Sequence, residues 1–104
     1  MLGKVKIGEQ ELEMLANGAT PFYYTQIFVD DCLSKMTNGG TIDMWVKVGF
    51  VMLKQAEGTD MKKVNVGQFL KWLEQFEPLD LPNAVPDILD LWNKQSQETA
   101  KPKK

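Results

Sequence analysis

Between Lys4 and Leu15 apolar residues alternate with polar ones on either side of Gly8. Alternation is the period of a strand with one buried face, and Gly8-Glu9-Gln10 has the composition of a short turn. The pattern therefore predicts a β-hairpin over residues 4–15 with Val5, Ile7, Leu12 and Met14 on one face. A hairpin alone is barely stable in water and needs a surface to lie on.

The period changes after residue 20. Thr20-Pro21 is a helix-start signal, because a Thr hydroxyl accepts an orphan N–H and Pro at the first helical position loses no hydrogen bond. Tyr24, Phe28, Cys32 and Met36 then recur every four residues beside Val29 and Leu33, predicting a helix over about 21–37 that Asn38-Gly39-Gly40 ends. Asp31 stands four residues before Lys35, the favourable order for a surface ion pair.

Thr41 is the expected cap of a second helix, 42–56, with Asp43 at its positive end. Ile42, Trp45, Val48, Gly49, Met52, Leu53 and Ala56 form its stripe, and Val46, Phe50 and Val51 extend the apolar surface to other sides. A helix apolar over so much of its circumference is covered on several sides, so it is either the central helix or an interface.

Asn65-Val66-Gly67-Gln68 has the form of a capping box and opens a third helix, 66–77, with Val66, Phe69, Leu70, Leu73 and Phe76 on one face and Trp72 off it. Pro78 to Asn83 reads as a stiff turn. Pro86 is expected to open a last helix, 86–94, with Ile88, Leu89 and Trp92 together and Leu91 elsewhere. Residues 95–104, polar and Lys-rich, are expected to be disordered. The reading is one mainly α domain, 1–94: an N-terminal β-hairpin followed by about four helices packed on one core.

Charge and composition narrow the chemistry. The 104 residues carry 12 lysines against 14 acidic residues, net −2, with neither Arg nor His. Missing His removes the usual general base, the commonest nitrogen metal ligand and the usual partner of a Ser or Cys nucleophile. Missing Arg removes the bidentate fork that reads phosphates and guanine edges. A binding or assembly protein is expected rather than an enzyme, with no cofactor and no metal site. Asp87 and Asp90 are explained by the dipole of the last helix, and Asp30 and Asp31 point to different sides of the first.

Cys32, alone, is expected to be an inert buried thiol, which leaves the cytosol as the default compartment. The first residues have neither the apolar run of a signal peptide nor a Gly after Met1, and the longest apolar stretch, 48–53, is far too short to cross a bilayer. No membrane partner is expected. A small helical DNA-binding regulator would need a basic recognition helix, yet the second helix has two lysines and the third only Lys71. No nucleic-acid partner is expected either.

The surplus is apolar: three tryptophans and six methionines in a small domain. Trp72 and Leu91 fall off their stripes, so Trp72, Phe76, Leu91 and Trp92 are the candidate partner-binding residues, at a groove or between copies.

The lysine-rich hairpin Lys4-Val5-Lys6-Ile7-Gly8-Glu9-Gln10-Glu11-Leu12, followed by Ala19-Thr20-Pro21-Phe22-Tyr23-Tyr24 and Gln26-Ile27-Phe28 opening a helix, resembles the tail assembly chaperones of long-tailed siphophages infecting lactic-acid bacteria. The similarity covers residues 4 to about 93 and is one of fold and order, without a binding motif to transfer. The resemblance implies a non-enzymatic protein of the host cytoplasm that keeps the helical, hydrophobic tape measure protein soluble, multimerises on it, helps recruit the tail tube protein, and is absent from the virion. The C-terminal lysines are compatible with the frameshift site used by many such proteins. The alternative from another class is a structural tail or head-tail connector component that stays in the particle.

Overall fold

The computed structural model describes residues 2–30 and 39–100, the last six by their backbone alone. The hairpin pairs β1 (Leu2–Ile7) antiparallel with β2 (Gln10–Leu15). Four helices follow among the described residues: α1 (Thr20–Phe28), α2 (Ile42–Ala56), α3 (Val66–Leu73) and α4 (Asp80–Ala100), with a 3-10 turn at Met61–Lys63. The expected mainly α class, a hairpin followed by helices on one core, is the observed one.

In the hairpin Val5, Ile7 and Met14 are buried and Leu12 is half-buried, while Lys4 and Lys6 lie across from Glu13 and Glu11 on the outer face. Gly8 takes φ 60 in the turn, a conformation that costs glycine little. Lys4 Nζ lies 3.6 Å from Glu11 Oε1, an exposed pair that adds little stability.

Helix α2 is the centre of the domain: Met44, Trp45, Val46, Val48, Gly49, Phe50, Val51, Met52 and Leu53 are all buried. Thr41 caps it as its sequence predicts, its hydroxyl accepting from Met44 N at 3.1 Å. Helix α4 crosses α2 where Gly49 leaves room for Ile88; a Cβ at residue 49 would lie 2.8 Å from Ile88 Cδ1. The same helix reaches the hairpin where Leu91 fills the space over Gly3.

Several boundaries differ from the sequence reading, each for a local reason. The first helix does not run unbroken from 21 to 37: α1 closes at Phe28, where Val29 adopts φ 50 and donates its N–H to Thr25 O. The Asp31–Lys35 pair, Cys32, Leu33, Met36 and Asn38 lie outside the described residues. Thr20 is not a cap but a buried residue inside α1; its hydroxyl accepts from Asn17 N at 3.0 Å and donates to Gln55 Oε1 at 2.6 Å.

Helix α3 ends at Leu73, not 77, because the chain tightens into three-residue bonds from Gln75 N to Trp72 O and Phe76 N to Leu73 O. Helix α4 begins six residues before Pro86. The Asp80 carboxylate accepts from Glu77 N at 3.0 Å at its start, and Pro82 falls in the first turn, where an N–H has no helical acceptor. Pro86 is therefore interior and leaves one helix carbonyl without its usual donor. The helical backbone continues through Ala100.

Gly49→Val should destabilise the domain by about 1–3 kcal/mol, because the added carbons collide with Ile88 in a packed core. Gly18→Ala, with nothing within 4 Å of its Cβ position, should be neutral or stabilising by up to about 1 kcal/mol. Urea unfolding midpoints at constant m-value measure both.

Candidate interaction surface

A line of aromatic rings runs through the core. Tyr24 meets Phe28 at 5.1 Å between ring centroids, Phe28 meets Phe69 at 5.0 Å, and Phe69 meets Phe50 at 5.2 Å. Phe50 then meets Trp72 at 5.4 Å and Trp72 meets Phe76 at 5.3 Å. These contacts tie α1, α2 and α3 together through favourable tilted and edge-on geometries. Two half-buried lysines of α2 lie over the line, Lys47 Nζ at 5.4 Å from the Phe28 centroid and Lys54 Nζ at 5.6 Å from that of Phe50. Their stems cover ring surface while Asp43 and Glu57 take their charges, at 3.1 Å and 3.2 Å.

The four residues singled out from the sequence are therefore placed as follows. Trp72 is 7% exposed and Leu91 9% exposed, both core residues, while Phe76 and Trp92 are half-buried. They do not form one groove. Phe76 lies at the turn end of the hairpin, lining a cleft with Ile7, Gly8 and Gln10. Leu91 lies against Gly3 near the open end, and Trp92 packs edge-on against Trp45 at 6.1 Å. From Gly3 to Ile7 the strand runs about 13 Å. The structure thus pairs Trp72 with Phe76 at one site and sets the neighbours Leu91 and Trp92 at another.

Both off-stripe assignments turn over. The inward face of α3 is Phe69 and Trp72, flanked by half-buried Leu73 and Phe76, so Val66 and Leu70 are turned outward. In α4 the buried line is Leu81, Ala84, Ile88 and Leu91, a helical spacing that is visible only once the helix is known to begin at Asp80. Two stripes compete in α3, and the one carrying the large indole wins the interior because it buries more apolar area.

The apolar surface that remains lies elsewhere. Phe22 is 67% exposed and, with exposed Thr25 and Gln26, occupies one face of α1, at spacings of three and four, while Val29, the left-handed residue that ends the helix, is 89% exposed. Leu70, 52% exposed, and Val66 lie on the outer face of α3, which meets α1 through Phe28 and Phe69. The signal for Phe22 was present in the sequence, since it falls outside the four-residue recurrence of Tyr24 and Phe28. Among the described residues no group of three His, Cys, Asp or Glu side chains is placed to hold a metal ion, and no helix is long and apolar enough to cross a membrane.

Trp72→Ala should cost about 3–5 kcal/mol, a large part of the stability of a domain this size, whereas Phe22→Ser should stay within about 0.5 kcal/mol of the parent. Thermal and denaturant unfolding distinguish the two. No family model, no curated protein and no solved structure matches the chain.

Proposed function

We propose that the chain is a non-enzymatic assembly chaperone of the phage-tail type, which shields an apolar helical stretch of the tape measure protein in the host cytoplasm and leaves before the particle is complete. Part of the support is the resemblance carried by Lys4–Leu12 and by Ala19–Phe28. The observation that carries the reading furthest is the exposure of Phe22 on α1, of Val29 at its cap, and of Val66 and Leu70 on the outer face of α3. Large apolar side chains left in water on adjoining helices suit a helical client with an apolar stripe, which would otherwise aggregate.

This moves the contact surface. Trp72 and Leu91 are committed to the interior, so a client meets α1 and α3, with Phe76 and Trp92 at most at the margins. Each copy contributes a small area and binds weakly, which suits a client that is later handed to the tail tube. Several copies on one long client reach useful avidity together.

Co-expression with the tape measure protein tests the role. The parent chain should render that polypeptide soluble and co-purify with it, and failure to do so overturns the reading. The double variant Phe22→Ser, Leu70→Ser should keep its own fold yet lose most of the client-solubilising effect. Retention of the effect by a folded double variant overturns the surface but not the role. Mass spectrometry of purified virions should find no copies; a stoichiometric amount favours the structural tail component instead.

A further inference from the structure

The register of the hairpin decides where its unpaired backbone groups point. Ile7 and Gln10 close a two-residue turn and so exchange hydrogen bonds, which makes Val5–Leu12 and Gly3–Met14 bonded pairs as well. Leu2, Lys4 and Lys6 are the alternate residues, and their N–H and C=O groups face the outer edge of β1. That edge is unpaired, since the sheet has two strands among the described residues.

One flank of α4 runs beside it. Asn83, Asp87, Asp90 and Lys94 recur at helical spacing and are all exposed. Shallow clefts separate helix from strand: Leu2, Gly3 and Lys4 face Asp87, Asp90 and Lys94 across one, and Lys6 and Gly8 face Asp80, Asn83 and Asp87 across the next. Together they make a trough walled by a strand edge on one side and a helix flank on the other.

We propose that this trough receives an extended peptide as a third, antiparallel strand on β1, with basic side chains at the alternate residues that face α4. Residues of the added strand opposite Leu2, Lys4 and Lys6 would exchange backbone bonds with them, and their side chains would share the outer face with the two lysines. The intervening side chains would point to the helix flank, where Asp87 and Asp90 set the preference for Lys or Arg. Lys94 limits that preference to the middle of the trough.

A second copy of this chain fits less well. Its β1 would bring lysines against Lys4 and Lys6, an unfavourable pairing on one face. Its β2 would offer Glu11 and Glu13 to those lysines, yet its inner face carries Leu12 and Met14, already used in its own core and useless to Asp87 and Asp90. A single strand has neither defect. The inference is independent of the chaperone reading, because it uses neither α1 nor α3.

The test is titration of the full chain with a fluorescently labelled, acetylated peptide Thr-Lys-Glu-Lys-Thr-Lys. Binding should be saturable, and the Lys4 and Lys6 amides should become slower to exchange. The double variant Asp87→Lys, Asp90→Lys, at exposed positions, should weaken binding roughly tenfold or more, about 1.4 kcal/mol. N-methylation of the peptide at the residues opposite β1 should abolish it. Absence of saturable binding overturns the proposal. So does equal binding of the N-methylated peptide, which would mean charge attraction without a strand. Should the double variant fail to fold, the methylated peptide and the amide exchange decide the matter on the parent chain.

Discussion

Coverage of α2 on nearly every side is the constraint to which the rest of the fold answers. Its buried residues point around most of the circumference, and no single neighbour can cover them all. The hairpin takes one side with Val5, Ile7 and Met14, α4 takes another at the Gly49–Ile88 contact, and α1 and α3 close the remainder through Phe28, Phe69 and Trp72 around Phe50. Each surrounding element is too short or too polar to stand alone, and together they supply the one core that a chain of this length can build.

Meeting this demand uses the tryptophans. An indole that touches Phe50 from α3, or Trp45 from α4, adds more apolar area per residue than any aliphatic choice, so Trp72 and Trp92 are drawn toward α2 and smaller residues are turned outward. The surface left over is consequently modest: Phe22 on α1, Val29 at its cap, Val66 and Leu70 on α3, and Leu2, Ile42 and Leu79 singly on other elements. A chain rich in aromatics need not be rich in aromatic surface; the central helix determines how much remains.

The hairpin and α2 were legible because their patterns are unambiguous: strict alternation around Gly8 in one, and a capping Thr41 followed by a wide apolar surface in the other. Where two patterns competed, local reasoning was insufficient. In α3, Val66 and Leu70 compete with Trp72 for the inward face, and only the position of Phe50 on a different helix decides between them. The start of α4 was obscured by Pro82 and Pro86, since proline reads as a boundary unless a residue ahead of the first proline is known to anchor a turn, as Asp80, two residues before Pro82, does here through Glu77 N. The role of Thr20 was equally non-local: its hydroxyl looks like a cap in sequence, but it bonds Gln55, 35 positions away. The exposure of Phe22 was readable in principle from its place off the Tyr24–Phe28 recurrence, whereas Val29, counted beside that stripe, is exposed because the helix ends in its left-handed turn.

The seating of Leu91 over Gly3 joins the beginning of the chain to its last helix. A polypeptide emerging from the ribosome makes the strands before either helix that supports them, α2 against β2 and later α4 against β1, and a hairpin alone is barely stable in the interval. Completion of this core is thus deferred until α4 has been made, and any product cut short before α4 leaves β1 without the helix that packs on it.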